Sequence, residues 1–271
     1  MMLQELEAIL KTKISPKAFR SNSEIYGLHY DKNRKSKIIK KVMLTIDLSL
    51  EAIHFALKNK VNLIISQHSL INKPVKKFNQ TIINKLSLLS KFPISIFVLN
   101  SSFVAAEGGI SDTIVEALYL KLENIFEIKN NEGRKIPIGR ICSPLAYLNQ
   151  KNPFTLENLI ERIKTNLNLK TVSYVGNLKN HIKRICIVGL HISNINYIKR
   201  AMKFGCDCYI SGKLNHFDAS FARDMGLSLI ETSHYKNGLL AMRKLSKILS
   251  LELPEIEFTL FESKDPIRTY I

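Results

Sequence analysis

Short continuous runs of apolar residues alternate along the chain with segments in which apolar residues recur every three or four positions. Residues 42–46 form a continuous apolar run, which is typical of a buried strand. Ser49 then lies where it can cap a helix, and a second apolar run follows at residues 61–65. The apolar face of the intervening helix would consist of Ile53, Ala56 and Leu57. This pattern predicts a β-α-β unit, in which the two strands are parallel.

The same pattern returns 145 positions later in the chain. Residues 185–188 form the first apolar strand, Ser193 opens the helix, and residues 206–210 form the second strand. Each copy then continues through another helix to a third apolar strand, at residues 94–99 and at residues 227–230. The matching positions are Ile53 with Ile198, Ala56 with Ala201, and Ser66 with Ser211. We therefore predict an internal duplication.

A segment of different character separates the two copies. Residues 135–141 (KIPIGRI) are typical of a strand, and residues 154–167 have helical periodicity. We place the boundary between the halves near residue 126. Residues 1–126 would then form a first α/β half, and residues 127–271 would form a connector and a second α/β half that is intertwined with the first.

Composition narrows the class of protein. The chain has 271 residues, of which 45% are hydrophobic, and this share favours a folded protein over a disordered one. Its longest apolar runs are far shorter than the roughly 20 residues of a transmembrane helix. The amino-terminal segment lacks the apolar core of a secretory signal, so we expect a cytoplasmic protein that does not contact a membrane. Four cysteines are too few for a disulfide scaffold.

The charge is strongly positive, with 40 Lys and Arg against 23 Asp and Glu and a formal net charge of +17. Such a surplus raises the question of nucleic-acid binding. The lysines are scattered, however, and the densest basic cluster, residues 32–41, stands directly before a strand. A chain rich in Ile, Asn and Lys and without Trp is also what AT-rich coding sequence produces. No nucleic-acid recognition motif accompanies the charge.

We looked for candidate functional residues at the predicted strand ends, because ligands of open α/β sheets bind beyond the carboxyl ends of the strands. Three of the seven histidines lie at such ends. No phosphate-binding glycine loop, dinucleotide fingerprint or serine-hydrolase elbow occurs in the chain. The strand-end set comprises Asp47, Gln67, His68, residues 100–109, residues 189–191, Lys213 and His234.

Five segments in this order carry a family resemblance: LIISQHSLINKP, NSSFVAAEGGISD, IPIGRI, CDCYISGKLNHFDA and IETSHYKNG. From about residue 42 to residue 271, the chain resembles the GTP cyclohydrolase 1 type 2 homologues, also called Nif-three-like proteins. The resemblance implies an α/β fold of two intertwined, duplicated domains with mostly parallel mixed sheets. It also implies a homohexameric ring and a site for two divalent metal ions.

Most of the family's metal ligands are replaced in this chain. Two adjacent histidines of the family correspond here to Gln67 and His68, and the bridging aspartate corresponds to Val104. The last motif retains its histidine as His234, whereas Gly238 stands in place of its glutamate. By this resemblance, His68 and His234 are the remaining two of five ligands. Lys213 replaces a further acidic residue of the family and is a candidate anion-binding residue.

The loss of the carboxylates has a direct electrostatic consequence. Two neighbouring divalent ions need anionic ligands to offset their mutual repulsion. Two imidazoles also fall short of the three protein ligands that are usual for catalytic zinc. We therefore expect no cofactor, or one divalent ion at low occupancy. The residues considered as substitute ligands are Glu107, Asp112, His191 and Glu231.

Two further groups of residues have plain structural interpretations. Cys206 and Cys208 form a C-x-C without a second pair, which favours buried packing over a metal site. Asp218 lies near the start of the helix after Lys213, and we interpret it as the cap of that helix and not as the partner of His216 in catalysis.

Three functional hypotheses follow from the sequence. The first is a family member with an incomplete dinuclear site and reduced or altered activity. The second is a metal-dependent hydrolase that acts on a nucleotide-like substrate. The third is a non-catalytic scaffold that binds a phosphate-containing small molecule or nucleic acid, with Lys213, His68 and His234 in its cleft.

Overall fold

The computed structural model describes residues 1–14, 26–31, 38–71, 75–129, 133–145, 153–192 and 194–268. In chain order the elements are α1 (Leu3–Ile14), β1 (Gly27–Asp31), β2 (Lys41–Thr45), α2 (Leu50–Lys58), β3 (Leu63–Ser66), α3 (Gln80–Ser90), β4 (Ser95–Val98), α4 (Asn100–Ala105), α5 (Ile110–Ala117), β5 (Leu120–Lys129), β6 (Lys135–Pro144), α6 (Leu156–Asn166), β7 (Ser173–Val175), β8 (Ile185–Ile192), α7 (Ile195–Lys203), β9 (Cys208–Lys213), α8 (His216–Asp224), β10 (Ser228–Glu231), α9 (His234–Glu252) and β11 (Glu257–Phe261). The predicted α/β class is confirmed.

These elements belong to two compact units that are interleaved along the chain. The first unit consists of Met1–Phe103 and Met242–Pro266, and the second of Val104–Ala241 and Ile267–Ile271. The chain thus leaves the first unit, builds the second and returns to the first, as the predicted intertwining requires. The half-boundary predicted near residue 126 falls inside β5.

The first unit is built on a sheet with the strand order β1-β4-β3-β2-β11. Strands β2, β3 and β4 pair in parallel, β11 joins β2 in parallel, and only β1 is antiparallel to its neighbour. Ser49 caps α2 as predicted, because its hydroxyl accepts the N–H of Ala52 at 3.0 Å. The first predicted β-α-β unit is therefore confirmed.

The second unit contains a sheet with the order β5-β6-β8-β9-β10-β7. Its central strands β8, β9 and β10 are parallel, whereas the other three pairings are antiparallel. The first sheet is thus mostly parallel and the second is mixed. Antiparallel edges arise here because the predicted connector strand, observed as β6, packs beside β8 and forms a long ribbon with β5.

The duplication extends to individual hydrogen bonds. Two pairs of bonds repeat at the offset of 145 positions: Val61 N–H to Ala56 O with Cys206 N–H to Ala201 O, and Ser66 Oγ–H to His68 O with Ser211 Oγ–H to Lys213 O. Asn62 and Asp207 also correspond, since a side-chain oxygen of each accepts two backbone N–H groups at the start of the preceding strand. Equivalent residues therefore shape equivalent turns.

The helix caps differ from two of the sequence-based expectations. Ser193 lies outside the described residues, and the cap of α7 is Asn194, whose side chain accepts the N–H of Asn196 at 2.8 Å. The expectation that Asp218 caps α8 is wrong. Asn215 is the cap and accepts the N–H of Asp218 at 2.9 Å, while the Asp218 carboxylate accepts from the Asn215 amide. An asparagine three residues earlier reaches the free N–H groups directly.

The glycine of the IPIGRI segment allows two strands to approach closely. A Cβ atom at Gly139 would lie 2.5 Å from the carbonyl oxygen of Ile187 on the neighbouring strand β8. Gly189 likewise has no space for a side chain, because a Cβ atom there would lie 2.7 Å from Cγ2 of Ile110. Both glycines are therefore needed for backbone packing in the second unit.

A buried ion pair fixes the turn between α4 and α5. Arg140 is 3% exposed, and its guanidinium donates to both carboxylate oxygens of Asp112 and to the carbonyl oxygens of Ala106 and Pro137. The Asp112 carboxylate also accepts the N–H of Gly108 at 2.8 Å. One arginine thus ties β6 to the glycine turn and to the first turn of α5.

All four cysteines are buried free thiols. Burial raises the pKa of the Cys142 and Cys206 thiols to about 12, so both are protonated at neutral pH.

Across the described stretches of the chain, no helix combines the length and apolar character that crossing a bilayer requires.

We predict that Asp112→Asn destabilises the second unit by about 3 kcal/mol, because it leaves a buried guanidinium without its counter-charge. Urea unfolding followed by circular dichroism measures this loss. Glu127→Gln is the matched control: it removes a carboxylate from an exposed pair with Lys135 in the same sheet and should cost less than about 1 kcal/mol. Equal losses in both variants would contradict the anchoring role of Arg140.

Candidate functional site

In the first unit, parallel pairing brings the ends of three strands to one edge of the sheet. Thr45, Ser66 and Val98 lie side by side as the last residues of β2, β3 and β4. The chain continues this register beyond the strands, since the N–H of His68 donates to Ile46 O at 3.0 Å and that of Asn100 to Gln67 O at 2.9 Å. Several predicted strand-end residues of this unit are therefore neighbours.

His68 is held by a carboxylate that follows the adjacent strand. Its Nδ1 lies 2.8 Å from Oδ1 of Asp47, and the imidazole is largely buried. Because a carboxylate accepts hydrogen bonds, the hydrogen between them lies on Nδ1. The neutral ring then carries its lone pair on Nε2, the arrangement common to metal-bound histidines.

Gln67, which stands in place of the family's first histidine, is 1% exposed. Its Nε2 donates to the carbonyl oxygen of Asn100 at 2.9 Å, which fixes the plane of the amide. Its Oε1 has no hydrogen-bond donor within the part of the chain that the structure describes. A carboxamide oxygen is an uncharged ligand atom for a cation. Gln67 can therefore offer a cation the dipole of its amide but no negative charge.

Lys85 on α3 interacts electrostatically with the same carboxylate. Burial lowers the pKa of Lys85, while the negative charge of Asp47 acts in the opposite direction. The Lys85 ammonium therefore interacts with the carboxylate that orients His68.

In the second unit, the start of α9 is attached to the end of β8. Nδ1 of His234 lies 3.0 Å from the carbonyl oxygen of Leu190, and a carbonyl can only accept, so the hydrogen again lies on Nδ1. One turn later, Nδ2 of Asn237 donates to Gly189 O at 2.7 Å and to the hydroxyl of Thr232 at 2.6 Å. His234 is thus fixed in position and in tautomer.

The two positions that carry carboxylates in the family are neutral here. Val104 is 2% exposed and belongs to α4, and Gly238 is buried within α9. Neither residue has a side-chain atom that could bind a cation. By the resemblance, Val104 corresponds to the bridging aspartate, and its side chain is apolar.

Two of the four candidate substitute ligands have other partners. Asp112 is bound to Arg140, and the Glu231 carboxylate accepts the N–H of Leu214 at 2.9 Å. Glu107 is exposed at the glycine turn. The side chain of His191 lies outside the described part of the structure. Asp112 and Glu231 are therefore already engaged in other interactions.

Lys213 ends β9 at the carboxyl edge of the second sheet, and its side chain is exposed. Its backbone carbonyl accepts the hydroxyl of the buried Ser211 at 3.1 Å. It occupies the position that corresponds to His68 in the first copy, 145 residues earlier. The duplication therefore places an imidazole in one unit and an ammonium in the other.

The donor chemistry of these positions does not fit a pair of divalent ions. The available groups are two imidazoles and one carboxamide, with no carboxylate at either family position. Over the described ranges, no three His, Cys, Asp or Glu side chains converge closely enough to hold a metal ion. We therefore derive no chemical step through metal ions.

Sequence patterns did not identify two contributors to the site, nor one pairing within it. Asp47 was among the predicted strand-end residues, but its pairing with His68 joins positions 21 residues apart. Lys85 and Asn237 lie on helices whose periodicity gave no indication of a polar role. The offset of the duplication was the only signal that could have linked Lys213 to His68.

The sequence matches the family Duf34/NIF3 (NGG1p interacting factor 3) over residues 1–266. Among its relatives is a protein of Clostridium perfringens named GTP cyclohydrolase 1 type 2 homolog, which is 28% identical over 86% of this chain and 87% of the relative. A Methanocaldococcus jannaschii protein of the same name is 25% identical over 95% of this chain and the whole of the relative.

Solved structures show the same fold. A Bacillus cereus protein related to NIF3 superimposes with a TM-score of 0.81 at 16% identity and covers 98% of both chains. The Staphylococcus aureus hypothetical protein SA1388 does so with a TM-score of 0.80 at 22% identity, over all of this chain and 99% of the other. Because the family model matches residues 1–266, the chain belongs to the Duf34/NIF3 family.

Proposed function

We propose that this chain is a Duf34/NIF3 family member whose dinuclear metal site is incomplete, so that its activity is reduced or altered. The observation that carries the proposal is the chemistry of two buried positions. Val104 and Gly238 stand where the family has carboxylates, and neither can neutralise a cation. By the resemblance, His68 and His234 are the two ligands that remain, one fewer than the three protein ligands usual for catalytic zinc.

The repulsion between two neighbouring divalent ions is large. Two unit charges 4 Å apart repel by about 4 kcal/mol at an effective dielectric constant of 20, and two divalent ions repel roughly four times as strongly. Bridging and terminal carboxylates supply the negative charge that offsets this repulsion. In this chain the two corresponding residues, Val104 and Gly238, carry no negative charge.

The names of the relatives favour a second candidate, a metal-dependent hydrolase that acts on a nucleotide-like substrate. Under this candidate the two retained histidines would need to hold a working ion without carboxylates. The metal content of the purified protein therefore separates the two candidates. The homohexamer implied by the resemblance and the cytoplasmic location stay predictions under both.

We predict that protein purified without chelator holds well below one divalent ion per chain. The variant that combines Gln67→His, Val104→Asp and Gly238→Glu should instead retain zinc or manganese, because it restores the missing ligands. Elemental analysis and calorimetric titration measure both. Adding His68→Ala to the restored variant is the control and should lower its metal content again, while circular dichroism verifies that each variant is folded. Stoichiometric metal in the unmodified protein would overturn the proposal.

We also predict that neutral His68 and His234 both carry their hydrogen on Nδ1, since each Nδ1 faces an oxygen acceptor. Long-range ¹⁵N–¹H correlation spectra distinguish the two tautomers. His54, an exposed histidine on α2, is the internal control and should favour the usual Nε2–H form. An Nε2–H tautomer at His68 would contradict the orienting role of Asp47.

The third candidate, an anion-binding scaffold, gains support from the exposed ammonium of Lys213 at the carboxyl edge of β9. We predict that inorganic phosphate binds weakly and that Lys213→Ala lowers its affinity, because an anion would lose its nearest cation. Titration calorimetry at low ionic strength measures this change. Lys135→Ala, which removes an exposed lysine from another strand of the same sheet, is the matched control. Equal phosphate affinity in all three proteins would exclude this role for Lys213.

A further inference from the structure

Two adjoining cavities form a groove in the second unit, at the amino ends of β9 and β10. Their volumes are about 370 and 510 Å³, and both are lined by Asn180 and Leu227. The first cavity reaches Met202 on α7, and the second reaches Tyr174 on the edge strand β7. Lys213 lies at the other end of β9, so the groove is separate from the site described above.

One wall of the groove is a connecting segment, residues 176–184, which hydrogen bonds hold in place. Ile182 is 2% exposed, and its N–H donates to the carbonyl oxygen of Phe154 at 2.8 Å. The amide of Asn180 donates to the hydroxyl of Ser228 on β10 at 3.4 Å. The wall is therefore attached to the rest of the second unit, and its shape does not depend on a ligand.

The exposed side of this wall is basic. Residues 179–184 have the sequence KNHIKR. Lys179, His181 and Lys183 are exposed, whereas Ile182 between the last two is buried. Arg223 of α8 lines the second cavity and adds a further cation. Basic side chains therefore border the groove on the wall and on α8.

The carboxylates beside the groove are engaged in other interactions. The Asp207 carboxylate accepts two backbone N–H groups at the end of the wall, at 2.8 and 2.9 Å. Asp224 forms an exposed ion pair with Arg223, with 3.5 Å between Oδ1 and Nε, and such pairs contribute little free energy. Within the described part of the chain, Lys179 and Lys183 form no ion pair. The groove therefore presents positive charge that no carboxylate neutralises.

Two exposed side chains offer surfaces on which a planar group can pack. Tyr174 is 43% exposed and lines the second cavity, and Met225 is 52% exposed and lines the first. A Cβ atom at Gly226, which lines both cavities, would meet no other atom within 4 Å, so the groove is open there. Aromatic rings and thioethers both pack favourably against the faces of aromatic groups.

We propose that this groove binds single-stranded nucleic acid. Phosphates of the strand contact Lys179, Lys183 and Arg223, and a base stacks on the ring of Tyr174. A positively charged groove with an exposed aromatic ring is a common arrangement for a single strand, whose bases are free to stack on the protein. The bases of a duplex are stacked on each other, so they offer no face to Tyr174.

Fluorescence anisotropy with a fluorescein-labelled oligothymidylate of about 15 nucleotides tests the phosphate contacts. The variant Lys179→Gln/Lys183→Gln should bind about tenfold more weakly at low salt. The slope of log affinity against log salt concentration should fall by about 1.4, because each lost contact with a single strand lowers it by about 0.7.

The variant Lys129→Gln/Lys135→Gln is the matched control. It removes two exposed lysines from β5 and β6 of the same sheet, so its net charge equals that of the wall variant. Its affinity should change by less than about twofold, because surface charges far from the groove are screened by salt. Equal weakening in both variants, or no binding of the oligonucleotide at low salt, would refute the proposal.

The stacking contact has its own test. Tyr174→Leu should weaken binding by about fivefold or more without changing the salt slope, since it removes a ring and no charge. Phe217→Leu removes another exposed ring, outside the groove, and should leave the affinity unchanged. Circular dichroism verifies that each variant is folded.

A glutamate-rich peptide with the net charge of the oligonucleotide distinguishes nucleic acid from acidic polymers in general. It should compete at least about tenfold less well than unlabelled oligothymidylate, because it has no bases to stack. Equally effective competition by the peptide, or unchanged affinity in Tyr174→Leu, would contradict the assignment to nucleic acid.

Discussion

Parallel pairing of three strands in each unit is the constraint on which the candidate residues depend. It brings the carboxyl ends of β2, β3 and β4 to one edge of the first sheet and those of β8, β9 and β10 to one edge of the second. A buried serine hydroxyl then bonds to the carbonyl two residues further on, at Ser66 and again at Ser211. The strand pairing and the serine hydroxyl thus fix the backbone position of residues such as His68 and Lys213, whatever the chemistry of the side chain.

This separation of position from chemistry explains how the site could change without loss of the fold. A carboxylate at the buried position of Val104 would be costly without a cation to neutralise it. A neutral residue such as valine avoids that cost. The same reasoning applies to Gly238, which is buried within α9.

Local patterns predicted most strands and helices because periodicity reports burial within one element. They found β2, α2 and β3, and the repeat of these elements as β8, α7 and β9. They could not find pairings between distant residues, such as Asp47 with His68 or Asp112 with Arg140, since neither partner changes the periodicity around it. The cap of α8 was misassigned because Asn215 and Asp218 are both good capping residues, and only the backbone decides between them.

The two ends of β9 illustrate how one strand can carry two kinds of chemistry. Cys206 precedes the strand and Lys213 ends it, and at about 3.3 Å per residue they lie roughly 23 Å apart along the chain. No ligand could bridge that distance, and the buried middle of the strand, with Tyr209 and Ile210, separates the ends with apolar side chains. Side chains at the carboxyl edge can therefore change without any effect on the residues at the amino end.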